Sequence, residues 1–160
     1  YTNAVEHGGE LVTVLGIVDA PGACAENRYL LRIEARLPMQ IHDRDSHREV
    51  IETLLADGAP ERTVFHSYSG DHEMAEIARE HGWYLSFSGT VSYKGNDGIR
   101  ESLRIVGLGH AMVETDAPYL TPMPYRGRTN APYMIPYTLD LPIADVARGT
   151  RDTARAVYGL

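Results

Sequence analysis

Several residue types are scarce in this chain, and each shortage removes a class of protein. Cys24 is the only cysteine in 160 residues. That excludes an internal disulfide and a thiolate zinc cluster, leaves histidine and carboxylate to hold any metal, and fits a reducing compartment, so a cytoplasmic protein is expected. No apolar run is long enough to span a membrane. Lys and Arg total 15 against 22 Asp and Glu, a formal net charge of -7. Such a balance argues against a basic surface that clamps duplex DNA, although a metal-lined cleft still takes phosphate locally. With two Phe and scattered Tyr, the aromatic pattern gives no base-stacking platform, and Y-L-S-F-S-G-T-V-S-Y reads as a core strand followed by a turn. The chain opens on Tyr1 without the basic and apolar features of a signal peptide, so it is expected to begin inside a longer protein.

What is present is an alternation. Apolar, β-rich runs at Leu11–Val18, Pro38–His42, Thr63–His66, Trp83–Phe87 and Ala111–Thr115 are separated by amphipathic stretches at Ser46–Ala56, Asp71–His81 and Asp97–Val106. Val50, Ile51, Leu54 and Leu55 in the first stretch, and Met74, Ile77 and Ala78 in the second, recur at helical spacing. Ser46 and Asp71 stand where N-caps belong, and Gly58 and Gly82 where helices stop. This βα alternation within one domain-sized chain predicts an α/β fold with a parallel sheet, doubly wound or barrel. S-Y-S-G at Ser67–Gly70 and S-F-S-G at Ser86–Gly89 echo each other, each expected to follow a strand. Ala117–Tyr137, rich in Pro and Tyr, is expected to be a functional loop, and Ile143–Tyr158 a C-terminal amphipathic helix.

Chemistry-bearing residues collect at predicted strand ends. His42, His66 and Asp116 each stand where an apolar strand stops, and in parallel α/β folds those ends converge on the active face. Imidazole nitrogen and carboxylate oxygen together outline a metal site and suit Zn, Mn or Fe, and a divalent ion, Mg, Mn or Zn, is the expected cofactor. Each residue also has a plainer reading, as a hydrogen-bonded structural histidine or a turn-capping Asp; agreement among three strand ends favours the metal. Glu114 and Asp116 lie two apart, which on a strand puts both on one face and calls for cations or donors opposite them. Asp43, Asp45, His47, His72 and His81 read as solvated groups. Arg44 and Arg126 suit phosphate or carboxylate, since a guanidinium fork matches such oxyanions, with a surface or structural ion pair as the plainer reading and Arg126, in R-G-R beside the expected site, the better candidate.

The segments P-M-Q-I-H-D-R-D, V-F-H-S-Y-S-G-D, G-W-Y-L-S-F-S-G-T-V and V-E-T-D-A-P-Y-L-T-P-M-P-Y-R-G-R-T-N-A-P-Y, in order from Pro38 to Tyr137, resemble the TatD family of metal-dependent deoxyribonucleases. The resemblance implies a TIM-type (β/α)8 barrel, here a partial barrel of about five C-terminal βα units in a single domain over residues 1–160. It implies cleavage of phosphodiester bonds in DNA by a metal-activated water. By motif, His42 and His66 match metal ligands and Asp116 the metal-binding, catalytic aspartate. Glu114 becomes a supporting acid, and Arg44, Ser69 and Arg126 match positions near the substrate. Two features depart from the family pattern. No His-x-His strand is found, and in V-L-G-I-V-D-A-P Ile17 stands where a bridging Glu belongs, with Asp19 nearby. A barrel short of three strands is expected to self-associate through exposed edges, and the competing expectation is a catalytically inactive barrel serving as a binding or assembly module.

Overall fold

The computed structural model describes residues 3–7, 10–14, 39–43, 46–139 and 143–159. They fall into two compact units, residues 1–66 and 67–160.

In the first unit, β1 (Asn3–His7) and β2 (Glu10–Val14) pair antiparallel, with Asn3 opposite Val14 and His7 opposite Glu10. The strand expected over Leu11–Val18 is thus found as β2, but its described partner is a hairpin neighbour rather than a parallel strand. The sequence signal for this is Gly8-Gly9, two residues between the paired ends, the preferred length and composition of a tight hairpin connection. Residues 15–38, which include Ile17, Asp19 and Cys24, lie outside the described residues, as do Arg44 and Asp45.

β3 (Met39–His42) and β4 (Thr63–His66) are parallel, in a register that sets Ile41 beside Phe65 and His42 beside His66. The crossover between them contains α1 (His47–Asp57), since parallel neighbours cannot be joined by a tight turn. Val50, Ile51 and Leu54 of α1 are buried, whereas Leu55 is 49% exposed, so the apolar stripe is one residue narrower than its spacing suggested. Gly58, at φ 84°, ends the helix in a left-handed conformation that a side chain disfavours. Thr63, Val64 and Phe65 are all buried, the continuous pattern of a parallel strand covered on both faces.

In the second unit, α2 (His72–Glu80) starts from Asp71, whose carboxylate accepts the Met74 N–H at 3.0 Å. Replacing Asp71 by Ala is expected to cost about 1 kcal/mol, read as a fall in melting temperature of about 2–4 °C, because the first-turn N–H loses its acceptor. β5 (Tyr84–Phe87) and β6 (Ala111–Val113) are parallel, with Ser86 beside Met112 and Phe87 beside Val113. Between them run a short 3-10 turn (Gly89–Ser92) and α3 (Asp97–His110). The α3 path breaks at Gly107, whose φ of 62° and ψ of 176° are not helical. A long loop with a second 3-10 segment (Pro132–Tyr137) leads to α4 (Ile143–Tyr158). Thr153 of α4 donates to the Leu108 carbonyl at 2.6 Å, satisfying an acceptor in the last turn of α3, where the helix supplies no N–H. Trp83, Leu85, Phe87, Ala111, Met112 and Val157 are among the unit's buried side chains. No described helix is long and apolar enough to cross a membrane.

Candidate metal centre

In the first unit, the last residues of β3 and β4 are histidines, and their register makes them neighbours. The His42 and His66 ring centroids lie 5.4 Å apart with planes at 38°. Both side chains are half-buried. Directly after His42, Asp43 is not the solvated group its sequence context suggested: its side chain is 6% exposed. One carboxylate oxygen accepts the Ser46 N–H at 3.0 Å and the other meets His47 Nδ1. Capping at the start of α1 therefore comes from Asp43, three residues before Ser46, and Ser46 makes no side-chain capping bond. His72 and His81 are exposed as expected, with His81 stacked on Trp83 at 5.0 Å.

In the second unit, β6 ends at Val113, short of both acids. Glu114 continues alongside β5, donating its N–H to the Phe87 carbonyl at 3.1 Å, while Ser86 Oγ donates to Glu114 Oε2 at 2.5 Å. Asp116 then turns into the left-handed region at φ 56°. The expected proximity of the two acids is found, but by a different route: a strand end followed by a strained turn, rather than strand alternation, brings carboxylate oxygens of Glu114 and Asp116 within 4.8 Å of each other. A non-glycine residue at positive φ persists only where its surroundings impose it, and such residues gather at functional sites.

Asn130 imposes it. Its side chain, 4% exposed, donates to the carbonyls of Thr115 at 2.6 Å and Tyr119 at 2.7 Å, which bracket Asp116, while its Oδ1 accepts the Ala131 N–H at 2.9 Å. The turn is closed further by Tyr119 N–H to the Asp116 carbonyl at 2.9 Å. Sequence reading missed Asn130, because its two acceptors lie 15 and 11 residues upstream in an irregular loop that no periodicity describes.

Of the expected substrate groups, Arg126 is exposed and its guanidinium carbon lies 4.3 Å from the Tyr93 ring centroid. Burial pushes the Tyr93 phenol up, and the Arg126 charge partly offsets this. Ser69 is exposed between the buried residues Tyr68 and Gly70. The Ser-Gly echo is out of step: Ser67 follows β4 at φ 47°, whereas Ser86 and Phe87 are still within β5. The two stretches nevertheless meet, with Ser67 Oγ donating to Ser88 Oγ at 3.3 Å.

Residues 30–158 match the sequence family described as TatD related DNase. The chain belongs to this family. It is 42% identical over 130 residues to an uncharacterized metal-dependent hydrolase, TatD, of Mycobacterium tuberculosis, covering 77% of this chain and 49% of that protein. It is 29% identical over 140 residues to the uncharacterized metal-dependent hydrolase YabD of Bacillus subtilis, covering 82% and 55%. The chain thus spans about half the length of these relatives. Among solved structures, the TatD homologue YJJV of Escherichia coli superposes with a TM-score of 0.71 at 21% identity, covering 90% of this chain and 62% of the other. A TatD family hydrolase of Entamoeba histolytica gives 0.67 at 16%, covering 84% and 55%. The fold is α/β, a partial TIM-type barrel of the TatD kind, as the motifs implied.

Proposed function

We propose that the chain acts as a TatD-type metal-dependent hydrolase that cleaves phosphodiester bonds in DNA. The observation that carries this reading is the placement of metal-ligating chemistry where β strands end: paired imidazoles closing β3 and β4, and paired carboxylates just after β6. Neutral imidazole nitrogens and carboxylate oxygens are donors that Mg, Mn or Zn accept, with Mg favouring the carboxylates. In this reading His42, His66 and Asp116 hold the ion. A divalent ion bound there supplies a Lewis acid and an acidified water.

The chain's own residues do the rest. Asp116 accepts a hydrogen bond from the attacking water, and the turn held by Asn130 fixes its direction. Glu114, steered by Ser86, acts as a supporting acid that orients its neighbours. Arg126 offers a guanidinium fork to a substrate phosphate, and Arg44 and Ser69 are assigned the same task from their family positions. The enzyme is assigned to the cytoplasm on its single cysteine, and DNA is the assigned substrate.

The test is metal analysis of the purified chain followed by hydrolysis of labelled DNA with Mg, Mn or Zn, beside Asp116→Asn. Losing a ligand is expected to cost more than the roughly 10- to 100-fold typical of a change one shell further out. Hydrolysis that is indifferent to Asp116→Asn sinks the proposal. A chain that takes up no metal and cleaves nothing, yet self-associates in sedimentation, supports the inactive binding or assembly module instead.

A further inference from the structure

Three arginines of the second unit are held by carboxylates: Arg100 meets Asp97 at 2.6 Å, Arg104 meets Glu101 at 2.7 Å and Arg151 meets Asp152 at 3.0 Å. Arg126 has no such partner among the described residues. Its guanidinium carbon lies instead 4.3 Å from the Tyr93 ring centroid. A ring face attracts a cation yet supplies no oxygen, so the N–H donors of the guanidinium fork stay available to an oxyanion. An arginine already paired with a carboxylate has to give up that partner first.

Tyr93 is a fixed plate. Its N–H donates to the Thr90 carbonyl at 3.0 Å, its own carbonyl accepts from Arg100 at 2.8 Å, and its hydroxyl donates to the Thr121 carbonyl at 3.1 Å. The residue is thus pinned at both ends of the ring, whereas Arg126 is exposed in the long loop, next to Gly127 at φ 91°. An exposed arginine loses rotamer freedom when it grips a ligand, and a ring that already confines it removes part of that cost. The second arginine of R-G-R gives the contrast. Arg128 lies farther from its ring, 5.7 Å from the Tyr125 centroid, and its N–H donates to the Tyr125 carbonyl at 3.1 Å, so that contact stays within one turn. The Tyr93 contact joins two segments and ties the Arg126 fork to the stretch that follows β5.

We propose that Tyr93 is the positioning residue for Arg126, its ring holding the guanidinium as a ready-made fork for a substrate phosphate and so setting affinity rather than chemistry. The proposal rests on the reading of Arg126 as a phosphate-binding group and deepens it by naming what fixes its direction.

NMR of the Arg126 Nε–Hε group in the full chain, titrated with inorganic phosphate in EDTA, tests the fork with hydrolysis switched off. Phosphate is expected to shift this signal, and a nuclear Overhauser contact between the Arg126 δ protons and the Tyr93 ring should persist at saturation. Tyr93→Phe keeps the ring and should bind phosphate as the native chain does, while its melting temperature falls by about 2–4 °C because the Thr121 carbonyl loses its donor. Tyr93→Leu removes the ring face and should weaken phosphate binding about 2- to 5-fold. In DNA hydrolysis Tyr93→Leu should raise KM by about the same factor at unchanged kcat, and should have no further effect in an Arg126→Ala background. Equal losses for Tyr93→Phe and Tyr93→Leu, a Tyr93→Leu effect that persists beside Arg126→Ala, or an Overhauser contact that vanishes as phosphate binds would each overturn the proposal, as would a native chain whose Arg126 signal ignores phosphate. Phosphate and ring effects in a chain that cleaves no DNA with Mg, Mn or Zn would defeat the hydrolase reading alone, and hydrolysis without those effects would defeat the positioning role alone.

Discussion

Gly89→Ala is expected to destabilise the chain by roughly 3–5 kcal/mol, seen as a fall of about 6–20 °C in melting temperature by circular dichroism. A Cβ at Gly89 would lie 1.9 Å from the Leu120 carbonyl oxygen and 2.7 Å from the Pro122 nitrogen. Both are backbone atoms, so the clash cannot be relieved by a rotamer change, and one segment has to move. The two segments are also hydrogen-bonded there. Ser92 Oγ donates to the Gly89 carbonyl at 2.6 Å and accepts the Met123 N–H at 2.9 Å, and Tyr93 holds the Thr121 carbonyl. Displacing the loop breaks these contacts together. Gly82→Ala is the comparison: Gly82 has φ 70°, but a methyl group there would meet nothing within 4 Å, so only the left-handed strain of about 1–2 kcal/mol applies. Equal melting temperatures for the two variants would refute the close approach at Gly89.

The second large effect is expected for Asn130→Ala, a loss of roughly 3–5 kcal/mol with Asp116 freed at the same time. Ala keeps the backbone bond from residue 130 to the Pro118 carbonyl, 3.0 Å, but abandons the carbonyls of Thr115 and Tyr119 and the Ala131 N–H. Each polar group left buried without a partner costs about 1–3 kcal/mol, less where water enters. On the proposed function, the variant should also lower affinity for Mn by about 10- to 100-fold in calorimetry, since Asp116 loses the frame that sets its direction. Thr121→Val separates framing from mere stability. Thr121 is buried and bonded to the Arg128 carbonyl in the same loop, without bracketing Asp116. It is expected to lower the melting temperature and leave Mn affinity unchanged; a matching loss of Mn affinity in Thr121→Val would remove Asn130 from any special role.

Much of the element order was legible because it rests on short-range rules. Thr63–His66 forms the strand its β-rich composition indicated, Asp71 caps the helix that follows it, and Ile143–Tyr158 is a helix over the residues its periodicity marked. The pairing of two strand-end histidines was legible as well, since His42 and His66 close apolar runs and the register of β3 and β4 then makes them neighbours. The burial of Asp43 was not legible. A polar residue between His42 and Arg44 reads as solvent-facing until its partners, the Ser46 N–H and His47, are known.

The sequence by itself determined the alternation of strands and helices, the family motifs, and the residue types able to hold a metal, because periodicity, caps and turn residues act within a few positions along the chain. Only the tertiary structure decided how Glu114 and Asp116 come together, why Gly89 admits no side chain, and which residue frames Asp116. Those outcomes depend on contacts between segments 11 to 33 residues apart, such as Asn130 with Tyr119 and Gly89 with Pro122. Such contacts are chosen by packing and by the need to satisfy buried polar groups, and neither leaves a periodic trace in the sequence.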